Sequence, residues 1–338
     1  MRQLTMTADR DVEWWEVPEP QLQGDRDALV RPLAVALCDL DPVILRGIAP
    51  IPGPIALGHE CVAEVVDVGD SVASVAPGDR VVVPFQISCG ECSRCRRGGT
   101  GDCQSVAALS MYGFGAYGGD WGGLISDLAR VPFADAMLVR VPDGVEPAAV
   151  ASASDNIPDG WRTVAPHLDA RPGADVLVVG GGAPSIGLYA VDAAMALGAG
   201  RVVYADADDA RLTIAAQLGA ETVEGPPPKA YGEFAITVDA SASHAGLHAA
   251  LRSTEPSGVC TSTGIYYEQT TPVPLLEMFT KGITFITGRA MARPVIPAIL
   301  ERVAAGQLRP ERVTSGVVAW DDAAEAVGEA HTKLVLER

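Results

Sequence analysis

Four cysteines, Cys89, Cys92, Cys95 and Cys103, fall within fifteen residues in the spacing C-x2-C-x2-C-x7-C. Four thiolates this close can wrap one tetrahedral Zn²⁺, and short turns such as Gly90-Glu91 let the sulfurs converge. An iron–sulfur cluster is the other metal group such thiolates hold, but nothing else in the sequence points to electron transfer. The intervening residues are polar and glycine-rich, with no substrate-binding types among them. The spacing therefore predicts a structural zinc that clamps a loop. A second signature lies at 180–187, Gly180-Gly181-Gly182-Ala183-Pro184-Ser185-Ile186-Gly187. It follows an apolar run and opens a helical pattern, and Pro184 suits a first helical turn. A helix N-terminus behind a glycine turn offers N–H groups and a positive dipole end to a pyrophosphate. Asp206 ends the next apolar run, nineteen residues after Gly187. A carboxylate there can accept the adenosine ribose hydroxyls and would repel a 2′-phosphate, which favours NAD over NADP. Arg211 could reach the same ribose, and the plain alternative for Asp206 is a helix cap.

The elements that must position these residues fall into two patterns. The chain has 338 residues, 48% hydrophobic and 20% charged, which suits two domains with ordinary cores. The first half carries short valine-rich runs broken by Gly, Pro and Asp, such as 28–33, 61–69 and 79–84, which read as the strands of a β domain. From Trp161 onward strands alternate with helices. Strands are expected at 175–180, 201–206, 234–239 and 258–264, and helices at 186–197, 210–218 and 245–251. Such alternation predicts a parallel, doubly wound sheet. After about residue 289 one helix (295–305) and two short strands remain, expected to return to the first domain. Seven cysteines are too few for a disulfide scaffold and are odd in number. The net charge of −18, from 25 basic and 43 acidic residues, disfavours nucleic acid and anionic membrane as partners. The most apolar uncharged stretch, 176–191, is interrupted by glycines and Pro184 and is shorter than the roughly 20 residues of a membrane helix. Acidic residues near the N-terminus leave no apolar signal core, so a cytoplasmic protein is expected.

Cys38 follows an apolar run, and Gly58-His59-Glu60 follows a proline-rich loop. Together with the cysteine cluster and the glycine turn, these residues resemble the zinc-dependent alcohol dehydrogenases of the medium-chain dehydrogenase/reductase superfamily. Gly78-Asp79-Arg80-Val81, Gly122-Gly123 before Asp127, and the phrase Gly306-Gln-Leu-Arg-Pro310 also match, so the resemblance spans essentially the whole chain. It implies a GroES-like β domain built from both chain ends (1–156 and 289–338), an inserted Rossmann NAD-binding domain (157–288), and an active cleft between them. It also implies two zinc ions per chain. Cys38 and His59 match two ligands of the catalytic zinc, and Asp155 stands at the third position. Asp there, with the run Arg130-Val-Pro-Phe-Ala-Asp-Ala136, is similar to the glutathione-independent formaldehyde dehydrogenase branch. Glu60 matches the family's nearby carboxylate, a neighbour or transient ligand of the metal. Asp41 matches the residue that hydrogen-bonds the zinc histidine. Thr263, Gly264, Ile265, Gly288 and Arg289 are expected to line the nicotinamide pocket. The implied reaction moves a hydride between NAD(H) and a small alcohol, aldehyde or ketone, in a homodimer or homotetramer.

The chain departs from that family where it hands on the substrate proton. Leu40 stands where a Ser or Thr relay is usual, Val43 where a relay histidine often sits, and Asp159 where a Thr near the nicotinamide is common. Three readings stay open: Asp39 or Asp159 replaces the relay, the proton passes to water, or the enzyme reduces a conjugated C=C bond instead. A non-catalytic NAD-binding relative is the rival from another class. Cys61 and Cys260 read as buried thiols, and His167, His244, His248 and His331 as surface or capping residues. The aromatic, glycine-rich stretch 111–121 could line a substrate site or simply pack. Lys333 could approach the cofactor phosphates or be solvated.

Overall fold

The computed structural model describes residues 1–338. It divides into two compact units. The first comprises Met1–Pro158, Ala290–Gly306 and Thr314–Arg338, and the second Asp159–Arg289 and Gln307–Val313. The short piece Gln307–Val313 was expected with the first domain. It joins the second because its backbone and side chains are tied there. The Arg309 N–H donates to Asp192 at 2.9 Å and the Arg312 guanidinium to the Gln217 carbonyl at 3.2 Å.

The first unit is built on a sheet in the order Gly316–Ala319, Leu334–Glu337, Ala28–Ala36, Glu60–Val68, Arg80–Val83, Val139–Arg140, with Ala129–Val131 also pairing Ala28–Ala36. The C-terminal strand Leu334–Glu337 lies antiparallel to Ala28–Ala36, with Val335 opposite Ala36. That ladder explains why both chain ends form one unit. A small sheet of Arg2–Met6, Val12–Glu16 and Ile55–Ala56 completes it. In the long strand Ala28–Ala36 the residues Ala34, Val35 and Ala36 are all fully buried, as befits a central strand covered on both faces.

The second unit holds six parallel strands in the order Glu221–Glu224, Val202–Asp206, Val176–Val179, Phe234–Asp239, Thr254–Ser262, Thr284–Thr287. The order reverses beside Val176–Val179, the first of these strands in the chain. Such a reversal opens the crevice in which open α/β sheets take ligands. The central strand Val176–Val179 is short, apolar and buried at every position, whereas the edge strand Glu221–Glu224 is exposed throughout. The helices Pro184–Ala196, Asp209–Leu218 and His244–Ser253 start and stop within three residues of the sequence expectations, and Gly219 closes the second in a left-handed cap. The core joins Leu177, Val179, Val203, Phe234, Leu247, Leu251 and Cys260. The α/β class expected from the sequence is what the chain forms. No helix is long and apolar enough to cross a membrane.

Candidate active site

Antiparallel pairing creates the first half of the site. Ala36 lies opposite Glu60 in the ladder. Cys38, two residues past one strand end, therefore emerges beside His59, one residue before the next strand. Gly58 makes the approach possible: its φ is +90°, and a Cβ there would sit 2.7 Å from the backbone N of Ile125. The third residue arrives from a 3-10 turn, Ala151–Ser154. Ser154 staples that turn to the strand, its hydroxyl accepting from the Cys61 N–H at 2.8 Å and donating to the Cys61 carbonyl at 3.1 Å. Asp155 follows directly.

The resulting donors, Cys38 Sγ, a His59 ring nitrogen and an Asp155 carboxylate oxygen, lie within 4.8 Å of one another and are buried. Cys38 Sγ is 3.4 Å from Asp155 Oδ2, and His59 Nε2 is 3.5 Å from the same oxygen. Ligands about 2.0–2.3 Å from a tetrahedral zinc stand roughly 3.3–3.8 Å from one another, so these spacings are those of a zinc polyhedron's edges. His59 adds a chemical observation. It is 1% exposed, and neither ring nitrogen has a hydrogen-bond partner. Buried polar groups are otherwise paired, so the orphaned lone pair fits a metal.

Charge builds up around this set. Burial pushes the Cys38 thiol well above its ordinary range, and Asp155, Glu60 and Asp41 push the same way. Burial works against the charged form of His59, yet Asp41, Asp155 and Glu60 outweigh it and raise its pKa to about 9. Both shifts describe a pocket that seeks a cation. Asp41 does not hydrogen-bond His59: its Oδ1 stands 3.8 Å from Nδ1, while its Oδ2 accepts the Cys38 N–H at 2.8 Å. It orders the cysteine backbone instead of the imidazole. Glu60 is fully buried and paired with Lys333 Nζ at 2.6 Å. That contact settles Lys333, which is buried in the first unit and not solvated. Lys333, expected at the cofactor phosphates or in solvent, and Asn156, to which the sequence assigned no role, complete the surroundings. Phe114, from the stretch 111–121, sets its ring 5.0 Å from that of His59, and Phe85 sets its own 5.9 Å away.

Cys89, Cys92, Cys95 and Cys103 converge as a second four-donor set. Backbone N–H groups point at the sulfurs, including Cys92 N to Cys89 Sγ and Gln104 N to Cys92 Sγ, both at 3.4 Å. The Gln104 and Cys95 N–H groups lower the Cys92 pKa to about 6, which favours the thiolate a metal requires. Cys61 and Cys260 are fully buried in their strands. Of the histidines, His248 Nε2 meets the Pro272 carbonyl at 2.8 Å and His331 Nδ1 the Glu329 carbonyl at 2.9 Å.

In the second unit the glycine turn follows Val176–Val179 and leads into helix Pro184–Ala196, whose N-terminus has no side-chain cap. At Gly180 a Cβ would lie 2.4 Å from the Tyr204 hydroxyl and 2.5 Å from Asp206 Oδ2, so glycine is what lets those two groups close on the turn. Gly181, Gly182, Ser185, Ile186 and Gly187 belong to this turn and first helical residues. Asp206 is not a helix cap; Asp208 plays that part by accepting the Arg211 N–H. Asp206 accepts from Tyr204 at 2.8 Å and from Arg211 at 3.4 Å, and Arg211 also donates to the Gly181 carbonyl at 2.8 Å. Turn, carboxylate and arginine are thus one cradle, which suits a dinucleotide. Ser262 lies opposite Thr287, so Thr263, Gly264 and Ile265 leave the sheet next to Gly288 and Arg289. Asp159 is engaged by the Arg162 guanidinium at 2.5 Å and is not part of the three-donor set.

Comparison with known proteins agrees with this geometry. The Alcohol dehydrogenase GroES-like domain family matches residues 24–143, and the Zinc-binding dehydrogenase family matches 185–305. A probable zinc-binding alcohol dehydrogenase of Mycobacterium tuberculosis is 31% identical over 324 residues, covering 94% of this chain and 82% of that protein. A glutathione-independent formaldehyde dehydrogenase of Pseudomonas aeruginosa is 32% identical over 228 residues, 63% of this chain and 56% of that one. The solved alcohol dehydrogenase from Thermus sp. ATN1 superimposes with a TM-score of 0.88 at 30% identity, covering 100% of this chain and 99% of that one. The chain is a member of the zinc-dependent alcohol dehydrogenase family of medium-chain dehydrogenases/reductases, an oxidoreductase.

Proposed function

We propose that this protein transfers a hydride between NAD(H) and a small alcohol and its aldehyde or ketone, using zinc held by Cys38, His59 and Asp155. The observation that carries the reading is the buried three-donor set around a histidine with no hydrogen-bond partner. When bound, zinc supplies Lewis acidity at the substrate oxygen and the nicotinamide supplies the hydride acceptor. The chain's own part is positional. Phe85 and Phe114 shield the imidazole from water, and Ser154 fixes the approach of Asp155. Asp206 offers its carboxylate to the ribose hydroxyls, which favours NAD over NADP. Thr263, Gly264, Ile265, Gly288 and Arg289 are placed to line the nicotinamide. Leu40 and Val43 carry no proton, and Asp159 is held by Arg162, which favours release of the substrate proton to water over a relay through Asp159. An Asp159→Asn variant with the wild-type rate and pH profile supports that route; a lost pH-dependent limb contradicts it. All seven cysteines are free, and metal-binding thiols favour a reducing compartment such as the cytoplasm.

The working unit in this reading is a homodimer. One edge of the parallel sheet, Glu221–Glu224, is guarded by two glutamates, whereas the other, Thr284–Thr287, carries no charge. Beside that edge Leu275, Leu276 and Phe279 are 67%, 76% and 82% exposed. An uncharged edge next to an apolar patch suits self-pairing about a two-fold axis.

The activity is tested with NADH and a conjugated enal, analysing the product. An allylic alcohol is expected. A saturated aldehyde would move the assignment to C=C reduction.

A further inference from the structure

Asn156 sits between a buried cation and the candidate zinc ligands. Its Oδ1 accepts from Lys333 Nζ at 2.7 Å, and its Nδ2 donates to Cys38 Sγ and to Asp155 Oδ2, each at 3.3 Å. Its backbone N–H donates to Glu60 Oε1 at 3.1 Å. The side chain is 1% exposed, and Lys333 is fully buried. Lys333 is itself anchored, donating to the Leu37 carbonyl at 2.7 Å and pairing with Glu60.

This placement fixes which way the amide points. An ammonium has only donors, so it requires the carbonyl oxygen. A thiolate and a carboxylate offer only lone pairs, so they require the NH₂ group. Turning the amide over would set N–H against ammonium and C=O against two anions. The orientation is dictated from both sides. The ammonium also polarises the amide, which strengthens donation at its far end.

We propose that Asn156, oriented by Lys333, is a positioning residue that draws electron density from the Cys38 thiolate and so raises the Lewis acidity of the metal it holds. Hydrogen bonds to metal-bound sulfur are a recognised means by which proteins tune a site. Three anionic groups, Cys38, Asp155 and Glu60, surround the metal position, and too much donated charge would leave a zinc that polarises substrate weakly. Asn156 and Lys333 moderate that charge without becoming ligands. This inference rests on the zinc reading above.

The test uses cobalt in place of zinc, because the energy of the sulfur-to-cobalt charge-transfer band reports electron density on the thiolate. Subtracting the spectrum of cobalt-loaded Cys38→Ser removes the four-cysteine contribution and leaves the Cys38 band. Two variants take away the N–H donor. Asn156→Asp keeps an oxygen for Lys333, and Asn156→Leu keeps the approximate volume. Without the hydrogen bond the sulfur lone pair rises in energy, so the Cys38 band should move to longer wavelength in both. The zinc enzymes should lose about tenfold to a hundredfold in turnover, the usual effect of removing a ligand's partner. A Cys38 band at the wild-type wavelength in both variants overturns the inference. If the wild-type protein itself shows no Cys38-dependent band, the zinc assignment fails instead. The four-cysteine band serves throughout as the control for a folded protein.

Discussion

His59 has both ring nitrogens buried and without hydrogen-bond partners, while the ionisable groups around it are carboxylates and the Cys38 thiol. A metal resolves that arrangement, and the residues behind it look organised to receive one. The Lys333–Glu60 pair, both residues fully buried, is the deepest of them. Removing one partner of such a pair leaves an uncompensated charge. Lys333→Met should therefore destabilise the protein by about 3–5 kcal/mol, measured as a shift in the denaturant midpoint at constant m-value. A shift within 0.5 kcal/mol, which is about what an exposed substitution gives, would mean that Glu60 is neutral in the native state. At this scale the sequence was unevenly legible. The four clustered cysteines speak through their spacing, since one short loop brings them together. Cys38, His59 and Asp155 are far apart in the chain and became visible only through a family likeness. Asn156 and Lys333 were not legible, because a lone lysine and a lone asparagine carry no local pattern. Tyr204 had a usable signal: two residues before Asp206 on a strand, it shares that residue's face.

Elements convert those residues into sites through register. Ala36 opposite Glu60 brings Cys38 to His59, and Ser262 opposite Thr287 brings the two expected nicotinamide segments side by side. Periodicity foretold the four inner parallel strands and the helices between them, runs that are largely apolar and punctuated by glycine. It missed strand Glu221–Glu224 and helix Leu275–Lys281, whose residues are largely exposed, and gave strand Thr284–Thr287 only as an end at Thr287. It also missed the docking of Gln307–Val313, which depends on Asp192 of helix Pro184–Ala196. Burial raises the pKa of that aspartate to about 6, against the Arg309 N–H, which favours its charged form. The unfolded chain ionises near 4, so between about pH 4 and 6 the native state holds the extra proton. Stability then falls as pH rises through that window and stays lower above it. Asp192→Asn should leave stability at pH 4 unchanged and raise it at pH 8 by on the order of 1–3 kcal/mol. Thermal unfolding at the two pH values checks this, and equal effects at both would contradict it.

At the scale of the whole molecule, the ladder between Leu334–Glu337 and Ala28–Ala36 ties a late strand to an early one, so the first unit closes only once residues 334–337 have been made. The net charge of −18 keeps copies apart unless a specific surface brings them together. The uncharged sheet edge with Leu276 and Phe279 is that surface in the proposed dimer. Light scattering should give about twice the chain mass of 35.1 kDa. Leu276→Asp combined with Phe279→Asp should return the single-chain mass; an unchanged dimer would place the interface elsewhere. In the proposed site Cys38, His59 and Asp155 hold a second zinc, distinct from the one clamped by four cysteines. Zinc content per chain, measured on purified wild-type, His59→Ala and Asp155→Ala proteins, tests it most directly. The wild type should carry about two zinc ions, and each variant one, together with loss of hydride transfer. Two zinc ions retained in either variant, or wild-type turnover with one, would contradict it.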